Sequence, residues 1–338
     1  VEGLMADFLE GIVLGEGISR GGITMFPLHH PQKGGPRYLT LDEALRRGLL
    51  EVQEKDAGGS VPEIKVVNRA DVAVLILDGE ELVGAKQNRV LNASVLLAAG
   101  AEKIIAVSCT EAGRWSYQSE RFSASPYVMP RSARRYKNAS VHLHLQTFRD
   151  FRADQGQVWD SVDRLSLQLK AESPTQAMRE VLDSRGRELE DLVGSLRPLS
   201  DQKGLLMFIG EEVAGLDIVS RAEAYAVLHP KLMRSYAADV LASCKANPTG
   251  RTPGREMARA FLEELKSCKE EVFSSAGLGC DHRFRSPRAL GSALVYRKRV
   301  IHAAFFRIED EAGEGGGNGG RMAESMRDFR LRRSSRYY

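Results

Sequence analysis

From residue 51 to 109, apolar positions recur at every second residue or in short unbroken runs. Five strands are predicted there: 63–67, 72–77, 82–90, 94–97 and 103–108. Asp78-Gly79 and Ala99-Gly100 fall between these runs, where tight turns are expected. Links this short join antiparallel neighbours, because a parallel crossover needs about a dozen residues. Elsewhere the period lengthens to that of helices. Thr40-Leu-Asp-Glu43 is a capping box that opens a short helix stopping near Gly48. Trp159, Val162, Leu165 and Leu169 form one helical stripe. Ser173-Pro-Thr-Gln176 reads as a second capping box with Pro174 at the first helical position, and Ala177, Val181, Leu189, Leu192 and Val193 carry the apolar face to about 196. Segments 204–209 and 213–219 read as a hairpin. Ser220-Arg-Ala-Glu223 reads as a third capping box, opening a helix that Pro230 should break or kink. A helix is predicted over 255–272, and two last strands over 291–296 and 300–308, turned by Arg297-Lys298-Arg299.

Segments 1–38 and 123–157 have no clear period and read as loop-rich or irregular. One internal echo stands out. Residues 75–84 (LILDGEELVG) resemble 206–215 (LMFIGEEVAG), and both read strand, tight turn, strand. The pattern predicts an α+β class, with mainly antiparallel sheet against several packed helices, in a single domain over about residues 5–310. Past Glu309 the run GEGGGNGG leads into arginine-rich sequence, so 311–338 reads as a disordered linker and tail.

Charge changes this picture little. The formal net charge is +3, but residues 321–338 hold six Arg against Glu324 and Asp328, which leaves the rest close to neutral. A near-neutral body lacks the broad basic footprint of a nucleic-acid binder. The longest apolar runs, such as 205–209, are too short to span a bilayer, and the N-terminus has no signal pattern. Cys109, Cys244, Cys268 and Cys280 form neither a CxxC nor a dense framework, which suits free thiols in a reducing cytoplasm.

Two segments concentrate chemistry. In GEELVGAKQNRVLN (79–92), Gln87 and Arg89 share a face if the strand is unbroken. Asn88 points the other way, and Glu81 has the parity of Arg89. A carboxylate, an amide and a guanidinium on one face suit an anionic or amide-bearing ligand, or simply a solvated face with an ion pair. In SCTEAGRW (108–115), Cys109, Glu111, Arg114 and Trp115 occupy one loop at the end of an apolar strand. A thiol beside Arg can be a nucleophile, and Arg plus Trp can clamp a phosphate and stack a base. The alternative is a buried structural cysteine and a Trp that plugs the core.

Other patterns are weaker. His142 and His144, and Cys280 with His282, lack the tight repeated spacing of a metal site, so no metal is assigned. Gly17-Ile-Ser-Arg-Gly21 fits GxSxG without the strand–turn–helix context a nucleophile elbow needs. The basic cluster Arg131, Arg134, Arg135 and Lys137 could touch phosphate, although such runs usually form a solvated face.

Taken together, LTLDEAL, VNRADVAVLILDGEELVGAKQNRVLNASVLL, IIAVSCTEAGRW, DQGQVWDSVDRLS with SPTQAM, and SALVYRKRVIHAAFF resemble a small prokaryotic domain family. That family is associated with ADP-ribosylglycohydrolases, rhodaneses and phosphatases. The likeness runs over about residues 10–307, leaves the tail outside, and brings no catalytic residues with it. It implies a role in NAD or ADP-ribose metabolism by association. On this reading the ligand is nucleotide-derived. Arg89 and Arg114 would bind phosphate, Trp115 would stack, Gln87 and Asn88 would orient, and Glu80, Glu81 or Glu111 would act as general base or ribose ligand. No cofactor is identified, and the sequence leaves open whether the protein is an enzyme. The rival reading is a non-catalytic interaction module supporting an ADP-ribose-processing enzyme.

Overall fold

A computed structural model describes residues 3–56, 58–194, 196–243 and 252–308. The predicted tail at 311–338 and the thiol of Cys244 lie outside them. Contacts divide the chain into Val1–Arg307 and Ile308–Tyr338, and every helix and strand among the described residues belongs to the first unit.

Its largest element is a nine-stranded antiparallel sheet. The order is Val13–Leu14, Ile23–His29, Gly204–Ile209, Glu212–Val219, Arg299–Arg307, Ala289–Tyr296, Cys280–Arg285 and Lys269–Ser274, with Ile18–Arg20 also on Ile23–His29. Its central strands are mostly apolar because both faces are covered. Met25, Leu205 and Met207 meet one set of helices. Phe26, Leu28, Leu206 and Phe208 face the short helix Leu4–Glu10 and the helix Arg255–Lys266. Each side chain of this size contributes about 1.5–3 kcal/mol on full burial.

The second layer is a small sandwich. A six-stranded sheet (Phe122–Val128, Glu80–Gly84, Arg89–Leu91, Glu102–Cys109, Glu63–Asn68, Leu50–Glu54) encloses a core with a three-stranded one (Val95–Leu97, Ala73–Ile76, Tyr38–Thr40). The expected strands are present, but the short links do not pair their neighbours. Ala73–Ile76 and Glu80–Gly84 belong to different sheets, as do Val95–Leu97 and Glu102–Cys109. Asp78-Gly79 and Ala99-Gly100 therefore carry the chain across the sandwich. Of the two echoed segments, only 206–215 is a hairpin. The predicted strand 82–90 is broken at 85–88, where Ala85 takes a left-handed φ of 43°. Among the described residues the one parallel pair is Tyr38–Thr40 with Ala73–Ile76, and residues 41–72 supply its long connection.

Several local expectations yield to tertiary contacts. Segment 1–38 holds a helix and three strands rather than loop. Segment 123–157, expected to be irregular, contains the strand Phe122–Val128 and the helix Arg131–Phe148. This helix lacks an apolar signature because it buries Arg131, Arg134, Lys137 and Asn138 against carboxylates and other polar groups, and Arg135 beside the Tyr136 ring. The Thr40–Glu43 capping box forms as read. The second does not: Gln176 has a φ of 53°, Ser173 Oγ accepts from the Ala177 amide, and the helix starts at Met178. The third fails because Ser220 Oγ bonds the Tyr38 hydroxyl (2.8 Å) instead. Helix Ala222–Ala242 continues through Pro230 with Leu228, Leu232, Met233 and Tyr236 buried around it. That packing outweighs the roughly 3 kcal/mol cost of an interior proline. The helix predicted over 255–272 ends at Lys266, and Lys269–Ser274 is the sheet's edge strand.

Candidate ligand-binding site

The two chemistry-bearing segments meet at one end of the sandwich. In the sheet, Arg89 lies opposite Leu82 on one side and Cys109 on the other, so all three share a face. Glu81 lies opposite Val90 and hence on the other face. The expected common parity of Glu81 and Arg89 is lost because the turn at 85–88 interrupts the strand. That turn needs Gly84. Its φ is 118°, and an added Cβ would stand 2.3 Å from Ser119 Oγ and 3.0 Å from the Arg121 carbonyl oxygen.

Thr110 N donates to the Asn88 carbonyl (3.0 Å), Asn88 N to Glu111 Oε2 (3.0 Å), and Gln87 Nε2 to the Glu111 carbonyl (2.9 Å). Arg114 closes the junction. Its Nε and Nη2 grip both oxygens of Glu111 (2.8 and 2.6 Å), Nη1 donates to the carbonyls of Ala85 and Ser116 (2.7 and 2.9 Å), and Nη2 also reaches Asn88 Oδ1 (3.3 Å). A guanidinium has five N–H donors, and here the protein engages them all. Burial pushes Glu111 up, but Arg114, the Asn88 amide and the Thr175 hydroxyl outweigh it and hold the carboxyl below its usual range. Arg114 and Glu111 thus form a clasp, a partnership different from the separate phosphate and base roles expected of them.

Arg89 stands in contrast. It is fully buried. Nη1 donates to Gln87 Oε1 (2.8 Å), and Nη2 lies 3.8 Å from Glu54 Oε1, beyond hydrogen-bond reach. Its Nε and Nη2 make no hydrogen bond among the described residues. These two atoms form the side-on fork with which Arg69 grips Glu51 and Arg114 grips Glu111. Burial lowers the pKa of Arg89, opposed by Cys109 and Glu54 beside it. Over the guanidinium lies the half-exposed indole of Trp115, its centroid 5.8 Å away. Lys86 Nζ stands 5.2 Å from the Trp115 ring and 5.1 Å from that of Tyr117.

Of the remaining expected site residues, Cys109 lies beside Arg89 on the same face, while Glu80 and Glu81 have partners of their own. Cys109 is fully buried, Gln155 bonds both its amide and its carbonyl (2.8 Å each), and burial pushes its thiol up. That is the setting of an inert structural cysteine. Glu80 accepts from Lys231 Nζ (3.1 Å) and the Leu77 amide (2.8 Å), and Lys231 also holds Asp42 (2.7 Å). Glu81 accepts from the hydroxyls of Thr110 (3.1 Å) and Ser125 (2.7 Å), and burial pushes its carboxyl up to about 7.

A second buried polar cluster was not foreseen from the sequence pattern. Arg134 holds Asp217 with two hydrogen bonds (3.0 and 2.8 Å), and Lys137 pairs with Asp78. His302 lies between Ser94 Oγ (2.8 Å) and Asp217 Oδ1 (3.3 Å). The Ser–His–Asp order resembles a nucleophilic triad in letters only. Asp217 is already held by Arg134 and the Tyr236 hydroxyl (2.9 Å), Ser94 accepts from the Asp78 amide (2.9 Å), and all of them are buried. The cluster joins the sandwich to the large sheet through the helix Arg131–Phe148. A signal was present: Asp217 interrupts an otherwise apolar strand, and an acid there needs a buried cation.

The fold defines a mixed α+β protein of mostly antiparallel sheets, with eight helices among the described residues. Its buried polar groups gather in two places, at one end of the sandwich and around Arg134 between the sandwich and the large sheet. The sequence model of one family, ARPP-1, described as the ARG and Rhodanese-Phosphatase-superfamily-associated Protein domain, matches residues 11–306, and the chain belongs to that family. No curated protein and no solved structure matches the chain. Among the described residues no helix is long and apolar enough to cross a membrane.

Proposed function

We propose that the protein recognises a phosphate-bearing, nucleotide-derived ligand at the end of the sandwich, between Arg89 and Trp115. The observation that carries this reading is the side-on fork of Arg89, a buried guanidinium edge whose Nε and Nη2 make no hydrogen bond among the described residues, with Cys109 beside it and Glu54 Oε1 at 3.8 Å from Nη2. Two parallel N–H donors fit two oxygens of a phosphate, and a buried, water-poor setting strengthens that contact. Trp115 is half-exposed and would stack on a base in place of its present contact with Lys86, which would add positive charge beside the ligand. Asn88 and Gln87 hold the arms in register, and the Arg114–Glu111 clasp fixes the base of the loop that carries Trp115. Ligand entry then requires residues 115–121 to swing outward. All seven are exposed, and Gln118 and Ser119 tie the segment to the Ala85 backbone. The family's association with ARG proteins favours ADP-ribose chemistry as the first ligand to try.

The reading concerns recognition rather than turnover. Glu111 is paired with Arg114, Glu80 with Lys231, and Glu81 is enclosed by hydroxyls on the opposite face. Titration calorimetry with ADP-ribose, NAD and pyrophosphate tests it. Arg89→Lys keeps the charge but removes the fork, and should weaken binding by about 1.5–3 kcal/mol, the worth of a charge-assisted contact. Unchanged affinity in Arg89→Lys refutes the site. Absence of binding by all three ligands favours the interaction-module reading.

A further inference from the structure

We infer that Glu54 accepts a hydroxyl of the bound ligand, so that the site selects sugar phosphates over simple phosphates. The inference rests on the Arg89 reading and deepens it. Glu54 ends the strand Leu50–Glu54 with its side chain almost wholly buried. Oε1 accepts from the Lys86 amide (3.2 Å), and Oε2 makes no hydrogen bond among the described residues. The carboxylate and the Arg89 fork are therefore neighbours that each keep unsatisfied capacity. Together they present two donors and one acceptor in a buried setting.

A doubly ionised phosphate monoester with no other hydroxyl, such as methyl phosphate above its second ionisation, answers only half of that pattern. Its oxygens would suit the fork, but its charge would face the Glu54 carboxylate, and like charges a few ångström apart in a low-dielectric site repel strongly. A ligand with anionic oxygens for Arg89 and an O–H donor for Oε2 satisfies all three positions. A phosphorylated ribose has both groups within a few bonds. Glu54 would then act as a filter: a hydroxyl-bearing ligand gains a charge-assisted hydrogen bond, and a ligand without one meets repulsion. Glu54 lies outside both motif segments, more than thirty positions before Arg89 in the chain.

The test compares ribose 5-phosphate with methyl phosphate by ligand-observed NMR titration of the full chain. Glu54→Gln should weaken ribose 5-phosphate about fivefold, the gap between a charge-assisted and a neutral hydrogen bond. It should leave methyl phosphate unchanged or tighter. Glu54→Asp keeps the charge while withdrawing the carboxylate by one methylene, and guards against a folding defect in the first variant. It should likewise weaken ribose 5-phosphate more than methyl phosphate. Equal effects on the two ligands, or none, in whichever variant keeps the wild-type melting temperature would overturn the role of Glu54 and leave the Arg89 site standing. If Arg89→Lys weakens neither ligand, the underlying site itself fails.

Discussion

Glu81 offers a sharp test of the buried polar architecture. Its two oxygens accept hydrogen bonds from the hydroxyls of Thr110 and Ser125, and among the described residues no cation pairs with it. Burial raises its carboxyl from 4.5 to about 7. The folded state therefore holds this proton more tightly than the unfolded state. The stability it contributes is full below about pH 4.5, falls as pH rises, and is gone above about 7. Linkage over that window gives a loss of about 2.5 kcal/mol between pH 5 and pH 8. Glu81→Gln is nearly isosteric, cannot ionise, and leaves both hydroxyls a partner, since each can rotate to donate or accept. The measurement is urea unfolding of wild type and variant at both pH values. Titration of all other groups cancels in the difference between the two proteins. The variant should gain about 2.5 kcal/mol relative to wild type on going from pH 5 to pH 8. A difference that stays constant across that range would refute the assignment of a protonated Glu81 in the folded protein.

Three further outcomes are expected. Arg134→Met leaves Asp217 and Asp78 buried beside a missing guanidinium, and should cost about 3–5 kcal/mol in urea unfolding; a cost under about 1 kcal/mol would mean the cluster relaxes freely. Cys109 should react with iodoacetamide far more slowly in the native protein than in denaturant, because burial keeps its thiol protonated; rapid native alkylation would restore it as a nucleophile. Gly84→Ala should cost about 1–3 kcal/mol through its left-handed φ and the close Arg121 carbonyl, and equal melting temperatures would show that the turn can reshape.

Sequence and tertiary structure divided the work in ways that particular residues explain. Local chemistry was legible where both partners lie within a few positions. The Thr40–Glu43 box and the 204–219 hairpin needed only spacing and side-chain type, whereas the predicted helical stripe held at Val162, Leu165 and Leu169 but is completed by buried Val158 rather than by Trp159, which is exposed. The class followed as well, because antiparallel strands and amphipathic helices announce themselves by period. The family resemblance named the same chain segment that the family model covers. What the sequence could not show was partner choice over long separations. Arg114 and Arg89 look alike in the chain, yet one grips Glu111 three residues away and the other meets Glu54 of a distant strand at 3.8 Å, an ion pair without a hydrogen bond. The turn at 85–88 reversed the parity of Glu81, since a single interruption exchanges the faces of every later side chain. The basic run in Arg131–Phe148 read as a solvated face because nothing nearby in sequence could neutralise it. Its counter-charges, Asp78, Asp217 and Asp239, arrive from 50 to 110 positions away. Burial of charge depends on contacts that close only when the sheets stack, and those contacts decide which polar groups are fully paired, like Arg114, and which keep unmet hydrogen-bonding capacity, like Arg89.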